Sequence, residues 1–272
     1  MKKTGWLLAC LFLIFASCNN SFQKVVKSND LSLKYEKAKE YYADKQYLKA
    51  EQLFEELMSA YKGTQDVQEI LYYYSYCFYY EQEYLTASYN FKNYYSTYGN
   101  GPHAEECLFQ NAMCYYKLSP YKELDQDYTN KAIDAFQIFV NSYPSSSKVA
   151  TANEYIDGLR RKLEQKDYMS ADLYFRMSDY KAASIQFANV LKSYPETQDA
   201  ELINFRILRS DYLYASNSIE IKKGDRYADA LKSYNNFVYQ YPKSTYRPQA
   251  DDMGNAIKDF LDNHKTEVSQ AN

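Results

Sequence analysis

Three apolar stretches of the chain end alike, in "VNSYPSS" at 140–146, "LKSYPET" at 191–197 and "VYQYPKS" at 238–244. Upstream of each proline the spacing is the same. Ala132, Phe136, Phe139 and Pro144 are separated by 4, 3 and 5 residues, as are Ala183, Phe187, Val190 and Pro195, and Ala230, Tyr234, Phe237 and Pro242. Steps of 3 and 4 place the three apolar residues on one face of a helix, and the proline, which has no N–H to donate and fixes its own φ, stops that helix so that the chain turns into the next. The small polar residues after each proline are expected to be N-caps.

Two earlier stretches carry the same pattern without the proline: Ala50, Phe54, Leu57 and Lys62, then Ala87, Phe91, Tyr94 and Gly99. Here Gly99 is expected to end one helix and Pro102 to open the next. Twelve residues before Ala50, Ala87 and Ala183 stand Ala38, Ser75 and Ala171, small residues where a preceding helix must come close to its partner. Small residue, aromatic and proline at fixed offsets resemble the tetratricopeptide repeat, a helix-turn-helix unit that stacks into a superhelix. The expected fold is therefore all-α, with about five repeats over 31–244. Uneven spacing predicts a linking helix near Lys148–Glu164, a lengthened first helix from Asp199 to about Ser218, an insertion at 119–130, and a capping helix from Arg247 to His264 with a flexible tail at 265–272. Only 7 Gly and 6 Pro in 272 residues agree with long helices.

The N-terminus reads "MKKTGWLLACLFLIFASCNNS": two lysines, an apolar run from Trp6 to Ala16, then Ser17 and Cys18. An apolar run of that length is too short to span a bilayer as a helix, so residues 1–17 read as an export signal. "Phe15-Ala16-Ser17-Cys18" resembles the bacterial lipobox, although Leu or Val is usual where Phe15 stands. That resemblance makes Cys18 the lipidated first residue of the mature protein and 18–30 its lipidated linker. Asn19 stands where enteric lipoproteins retained at the inner membrane carry Asp, so the address implied is the outer membrane, facing the periplasm. Loss of the signal moves the formal net charge from -3 to -5, and with no basic cluster the chain is no candidate for nucleic acid. Cys77, Cys107 and Cys114 remain, an odd number that forms no disulfide framework and reads as three buried thiols.

Relative to Ala38, Ser75 and Ala112, the positions three before, one after and four after are Tyr35, Lys39 and Tyr42; Tyr72, Tyr76 and Tyr79; and Phe109, Met113 and Tyr116. Such a stripe is either additional core or an aromatic groove for an extended peptide, in which Tyr acts as a stiff amphipathic contact. Candidate groove residues are thus Tyr35, Tyr42, Tyr72, Tyr76, Tyr79, Phe109 and Tyr116. Chemistry is not written into the chain. The two histidines, His103 and His264, are far apart in sequence, and neither a phosphate loop, a zinc spacing nor a nucleophile elbow occurs, so no catalytic residue, metal or cofactor is expected. The acidic pairs Glu55-Glu56, Glu105-Glu106 and Asp251-Asp252 read as solvated faces or first-turn charges.

With its lipobox and five repeats the chain resembles the BamD family of outer-membrane lipoproteins, which serve the β-barrel assembly machinery. The resemblance rests most on "SNDLSLKYEKAKEYYADKQYLKAEQLFEEL" at 28–57, "LDQDYTNKAIDAFQIFVNSYP" at 124–144 and "SADLYFRMSDYKAA" at 170–183. It implies a non-catalytic scaffold whose N-terminal repeats, 31–144, engage the terminal strand of unfolded outer-membrane proteins. The C-terminal repeats, 145–264, would dock on the barrel subunit BamA. A repeat lipoprotein of another envelope complex, such as one coordinating peptidoglycan or Tol-Pal, shares anchor and repeats; a glycan-binding outer-membrane lipoprotein is a further alternative. Cys18→Ser tests the anchor. The variant is expected to leave the membrane fraction or stay unprocessed, because the amphipathic repeats supply no other attachment; fractionation and intact mass measure this.

Overall fold

The computed structural model describes the backbone of residues 21–271 and side chains through Asn263. Cys18 and the export signal lie outside the described residues. Among them the regular structure is helical throughout: a short helical segment at 21–26, then α1 (Leu31–Ala43), α2 (Tyr47–Ala60), α3 (Asp66–Tyr80), α4 (Tyr84–Thr97), α5 (Ala104–Leu118), α6 (Asp127–Ser142), α7 (Val149–Arg176), α8 (Tyr180–Ser193), α9 (Ala200–Ser216), α10 (Glu220–Gln240) and α11 (Arg247–Ala271). Each helix from α1 to α6 packs on the next, as does each from α8 to α11, in line with the helix-turn-helix pairs of a tetratricopeptide-repeat fold. The chain forms two compact units that meet between Arg160 and Arg161, inside α7 rather than at the Tyr143-Pro144 turn where the repeats divide in sequence.

Each repeat is organised by a pair of small residues with no exposed surface: Ala38 with Ala50, Ser75 with Ala87, Ala112 with Ala132, Ala171 with Ala183, and Ser210 with Ala230, all at 0%. The pair spacing is 12 residues in three repeats and 20 in the third and fifth, where an insertion and a lengthened α10 take up the difference. Ser75 and Ser210 spend their hydroxyls on carbonyls one turn back, Leu71 and Arg206, both at 2.7 Å, so neither is an unpaired buried polar group. Around these contacts the predicted Phe54, Phe91, Phe136, Phe187 and Phe237 are all buried.

The turns inside repeats one, two and four are closed by one device. Lys45, Gln82 and Ser178 stand seven residues after Ala38, Ser75 and Ala171, and they are the non-glycine residues with positive φ among those described, at 59°, 66° and 62°. In each case the next residue, Gln46, Glu83 or Asp179, donates its N–H to the carbonyl five back, Tyr41, Phe78 or Tyr174, at 2.8 to 3.0 Å. This is a Schellman closure built without glycine, so each site carries the steric cost of a Cβ in the left-handed region.

The turns between repeats correct the expectation from sequence. Tyr143, Tyr194 and Tyr241 cap the outgoing helices with extended φ near the value demanded before proline, -131°, -129° and -126°. The small polar residue two after each proline is not the N-cap of the next helix. The hydroxyls of Ser146, Thr197 and Ser244 accept from the N–H two residues on and donate to Glu105, Glu164 and Glu201, on the first helix of the repeat just completed. Tyr-Pro-small thus stops a helix and latches the turn to its own repeat. At the Gly99–Pro102 turn, Tyr98 rather than Gly99 is the cap and Pro102 precedes the helix start by two residues.

Three further expectations change. The linking helix does not end near Glu164; it runs on as the first helix of the fourth repeat, giving the 28-residue α7. The backbone of 265–271, read as tail, continues α11. The described part of the 18–30 linker is not free chain: Phe22 and Val25 are buried, and the Phe22 ring meets Tyr41 edge-on at 5.5 Å. Gln82→Gly is expected to raise stability by about 1 kcal/mol, since glycine adopts positive φ without a Cβ clash and the closure needs only backbone groups. Gln82→Val should lower it, and chemical denaturation of the two variants gives both signs.

Candidate functional site

The first helices α1, α3 and α5 share the face that carries the aromatic stripe, and packing divides its residues into two kinds. Tyr76 (6% exposed) and Phe109 (8%) are core. Phe109 meets Phe136 and Phe139 at 5.7 and 5.2 Å, and Tyr76 meets Phe91 edge-on at 4.9 Å while its hydroxyl donates to Glu106 at 2.8 Å. Glu106 also pairs with Lys148, and Glu105 receives the Ser146 hydroxyl, so this acidic pair bridges repeats instead of standing in solvent. Glu56 pairs with Lys34 inside the first repeat and Asp251 with Arg247 one turn away on α11, while Glu55, Glu56 and Asp252 are exposed.

Tyr35, Tyr42, Tyr72, Tyr79 and Tyr116 are half-buried, with part of each ring accessible. Tyr42 lies against Tyr73 at 4.9 Å and Tyr47 at 5.7 Å; Tyr47 stacks on the exposed Tyr80 at 4.8 Å, and Tyr80 on Tyr76 at 5.7 Å. Tyr72 stacks on His103 at 3.9 Å, and Tyr116 contacts Tyr155 of α7 at 4.6 Å. Tyr47, Tyr80, His103 and Tyr155 therefore extend the stripe. Their place was not visible in the repeat register, since Tyr47 opens a second helix, His103 is an N-cap and Tyr155 lies on the linking helix.

The phenols of the face are uncharged, and Lys39, over the Tyr35 ring at 4.3 Å, is a cation among them. Burial raises the phenol pKa of Tyr35, Tyr42, Tyr72 and Tyr76, and that of Tyr79 to about 12, so all keep their protons near neutrality. Burial lowers the His103 pKa against the opposing pull of Glu69, leaving a neutral ring on Tyr72. Beside His103 opens a polar cleft of about 600 Å³ between the start of α3 and the 97–103 turn, lined by Asp66, Gln68, Glu69, Asn100 and His103 among others. Cys77, Cys107 and Cys114 are buried free thiols with pKa values raised by burial, as expected. Among the described residues no group of three or more His, Cys, Asp or Glu is arranged to hold a metal.

The second unit presents a different surface. At the positions matching the stripe around Ala171 stand Tyr168, Asp172 and Phe175, and Arg206 and Arg209 cover the Phe175 ring at 5.4 and 5.2 Å. Arg206 also reaches Asp172 at 3.7 Å. Here cations and carboxylates replace the tyrosines.

Comparison with known proteins bears on what such a scaffold is. The model of the YfiO outer membrane lipoprotein family matches residues 27–208, well over half of the chain. The chain belongs to the YfiO outer membrane lipoprotein family. A tetratricopeptide-repeat model matches residues 218–244 of this YfiO-family chain, within its fifth repeat. A search of curated proteins gives no match. Among solved structures the chain is similar to the TPR2AB domain in its pHSP90 complex from yeast Sti1, at 14% identity and a TM-score of 0.41 over 84% of this chain and 98% of that one. It is also similar to the TPR domain of P58(IPK), at 13% identity and a TM-score of 0.41 over 92% of this chain and 68% of that one. Among the described residues of the YfiO-family chain no helix is long and apolar enough to cross a membrane.

Two outcomes follow from this geometry. Tyr76→Ala should cost about 3–5 kcal/mol, like Phe91→Ala, because both rings are core, whereas Tyr76→Phe should lose only the Glu106 hydrogen bond, about 1 kcal/mol; thermal denaturation separates the three. On α2, burial and then the carboxylates of Glu81, Glu83 and Glu55 raise the Glu51 pKa to about 7. The folded state thus holds the Glu51 proton more tightly than the unfolded chain does, so stability is highest below the unfolded pKa near 4.5 and declines as pH rises toward 7. Glu51→Gln should remove about 1 kcal/mol of that decline, a figure reduced for screening at a half-exposed site, with little effect at pH 5.

Proposed function

We propose that this lipoprotein is a non-catalytic scaffold of the β-barrel assembly machinery. Its tyrosine face in the first unit receives the aromatic-ended terminal strand of unfolded outer-membrane proteins, and the charged face of its second unit docks on a BamA-type barrel subunit. Lipid on Cys18 anchors it in the outer membrane on the periplasmic side. The observation that carries this reading is the YfiO-family match over 27–208 on a repeat array whose first three repeats present half-buried tyrosines.

The chemistry suits that client. An extended strand brings alternate apolar side chains and a full set of backbone carbonyls and amides. Tyr42, Tyr72 and Tyr79 offer ring faces to the first and protonated hydroxyls to the second, whereas Tyr35, whose hydroxyl is buried, offers its ring alone beside Lys39. Rings already held by neighbours, as Tyr72 is by His103 and Tyr42 by Tyr73, lose little freedom on binding. Many clients of similar ending are then bound by one surface.

Tyr72→Ala and Tyr79→Ala should each weaken binding of a peptide with the terminal strand of an outer-membrane barrel by about 1–3 kcal/mol, the range of an aromatic anchor at an interface. Tyr239→Ala, an exposed residue of α10, should change nothing. Fluorescence anisotropy with the labelled peptide measures all three. Equal affinity of the Tyr72 and Tyr79 variants and the parent would refute the tyrosine face as the site.

A further inference from the structure

We propose that the first repeat lies directly on the lipid headgroup surface, with no spacer, and that the lysine-bearing ground around Phe22 is a headgroup-binding face. This rests on the reading of Cys18 as the lipidated residue. Its own argument is one of chain length and packing. Phe22 is buried in the same core cluster as Ala38, Ala50 and Leu53, with its ring against Tyr41 and with Lys49 Nζ 5.8 Å from the ring centroid. Cys18 precedes Phe22 by four residues. Four residues reach about 14 Å even when fully extended. A cysteine carrying acyl chains holds its backbone at the headgroup level, so Phe22 cannot stand farther from the bilayer than that, and the end of the α1–α2 hairpin against which it packs is held beside it.

The surface that this tether brings down is chemically matched to lipid. Residues 21–50 carry seven lysines against four acidic residues, a local excess that Glu51, Glu55 and Glu56 farther along α2 balance over 21–60, so the cationic ground is confined to the N-terminal segment and the α1–α2 turn. Lys24 and Lys27 on the packed N-terminal segment are exposed, as is Lys45 in the α1–α2 turn; Lys49 is partly so. Amid these cations Leu48 is 71% exposed and has no core to join. Lysines that reach anionic headgroups around a leucine that enters the acyl boundary are the pattern of an interfacial contact, and each lysine near an anionic surface adds to the attraction. A lipid chain and a basic patch acting together also give firmer attachment than one signal alone, and the patch by itself is too weak to hold the protein, so Cys18→Ser still leaves the membrane fraction.

The test uses the full, processed protein in vesicles of phosphatidylethanolamine and phosphatidylglycerol, part of the lipid bearing brominated acyl chains. An environment-sensitive fluorophore is placed on Leu48→Cys or, for comparison, on Glu123→Cys in the exposed 119–126 loop. The remaining thiols Cys77, Cys107 and Cys114 are buried and Cys18 is blocked by lipid, so labelling is selective. Brominated lipid is expected to quench the label at Leu48 at least severalfold more than the label at Glu123. Lys24→Gln, Lys27→Gln and Lys45→Gln combined should lower that quenching by half or more. If mass spectrometry finds lipid on Cys18 and the protein binds vesicles, yet Leu48 is quenched no more than Glu123, apposition is overturned while the anchor stands. If quenching at Leu48 is strong and the lysine variant leaves it unchanged, the headgroup contact is overturned. Absence of lipid on Cys18 overturns the anchor and this inference with it.

Discussion

The structure depends on one contact repeated five times: two helices brought together at a pair of residues no larger than serine, with nothing of either left exposed. Because Ala38 and Ala50, or Ala171 and Ala183, leave no side-chain bulk between the helix backbones, the larger residues beside them, such as Phe54 and Phe187, can close over the seam as the core of the repeat. A bulkier residue at any of these ten positions would push two helices apart. The tyrosine face proposed as the client site inherits its register from the same contact, since Tyr35, Tyr72 and Phe109 stand three residues before Ala38, Ser75 and Ala112.

Polar bonds hold the turns between repeats. A hydroxyl placed two residues beyond each Tyr-Pro reaches back to a glutamate on the repeat already built, and Glu106 joins Tyr76 on α3 to Lys148 just ahead of α7. Apolar packing alone is tolerant of sliding; directional bonds at the turns are not. The same bonds hold Tyr76 in the core. Its hydroxyl is already committed and its ring fills space between α3, α4 and α5, which leaves the half-buried neighbours as the proposed contacts.

Much of this was legible in the sequence because the repeat register is a matter of offsets. The alanines, the aromatic core positions and the proline stops all lie where periodicity puts them. Ser210 was hidden because its partner Ala230 is 20 residues away rather than 12, and the fusion of the linking helix into α7 was hidden because nothing at Glu164 or Gln165 forces a helix to go on or to stop. The positive φ at Lys45, Gln82 and Ser178 carries no glycine to announce it. Within the stripe, the division between Tyr76, which is core, and Tyr72 and Tyr79, which are half-buried, depends on how Phe91 and Glu106 approach from two other helices, and a single helix's sequence does not contain that information.

The most direct test of the central claim, that half-buried tyrosines of the first unit receive unfolded outer-membrane proteins, is photocrosslinking in living cells. A photoreactive phenylalanine derivative is placed at Tyr79 or, as a control, at Tyr239 on α10, and the adducts formed during outer-membrane protein synthesis are identified by mass spectrometry. The account predicts that Tyr79 yields adducts with newly made barrel proteins, carried by their terminal strands, and that Tyr239 does not. Barrel-protein adducts at Tyr239 as abundant as those at Tyr79, or none at Tyr79 while the barrel proteins are being made, would contradict it.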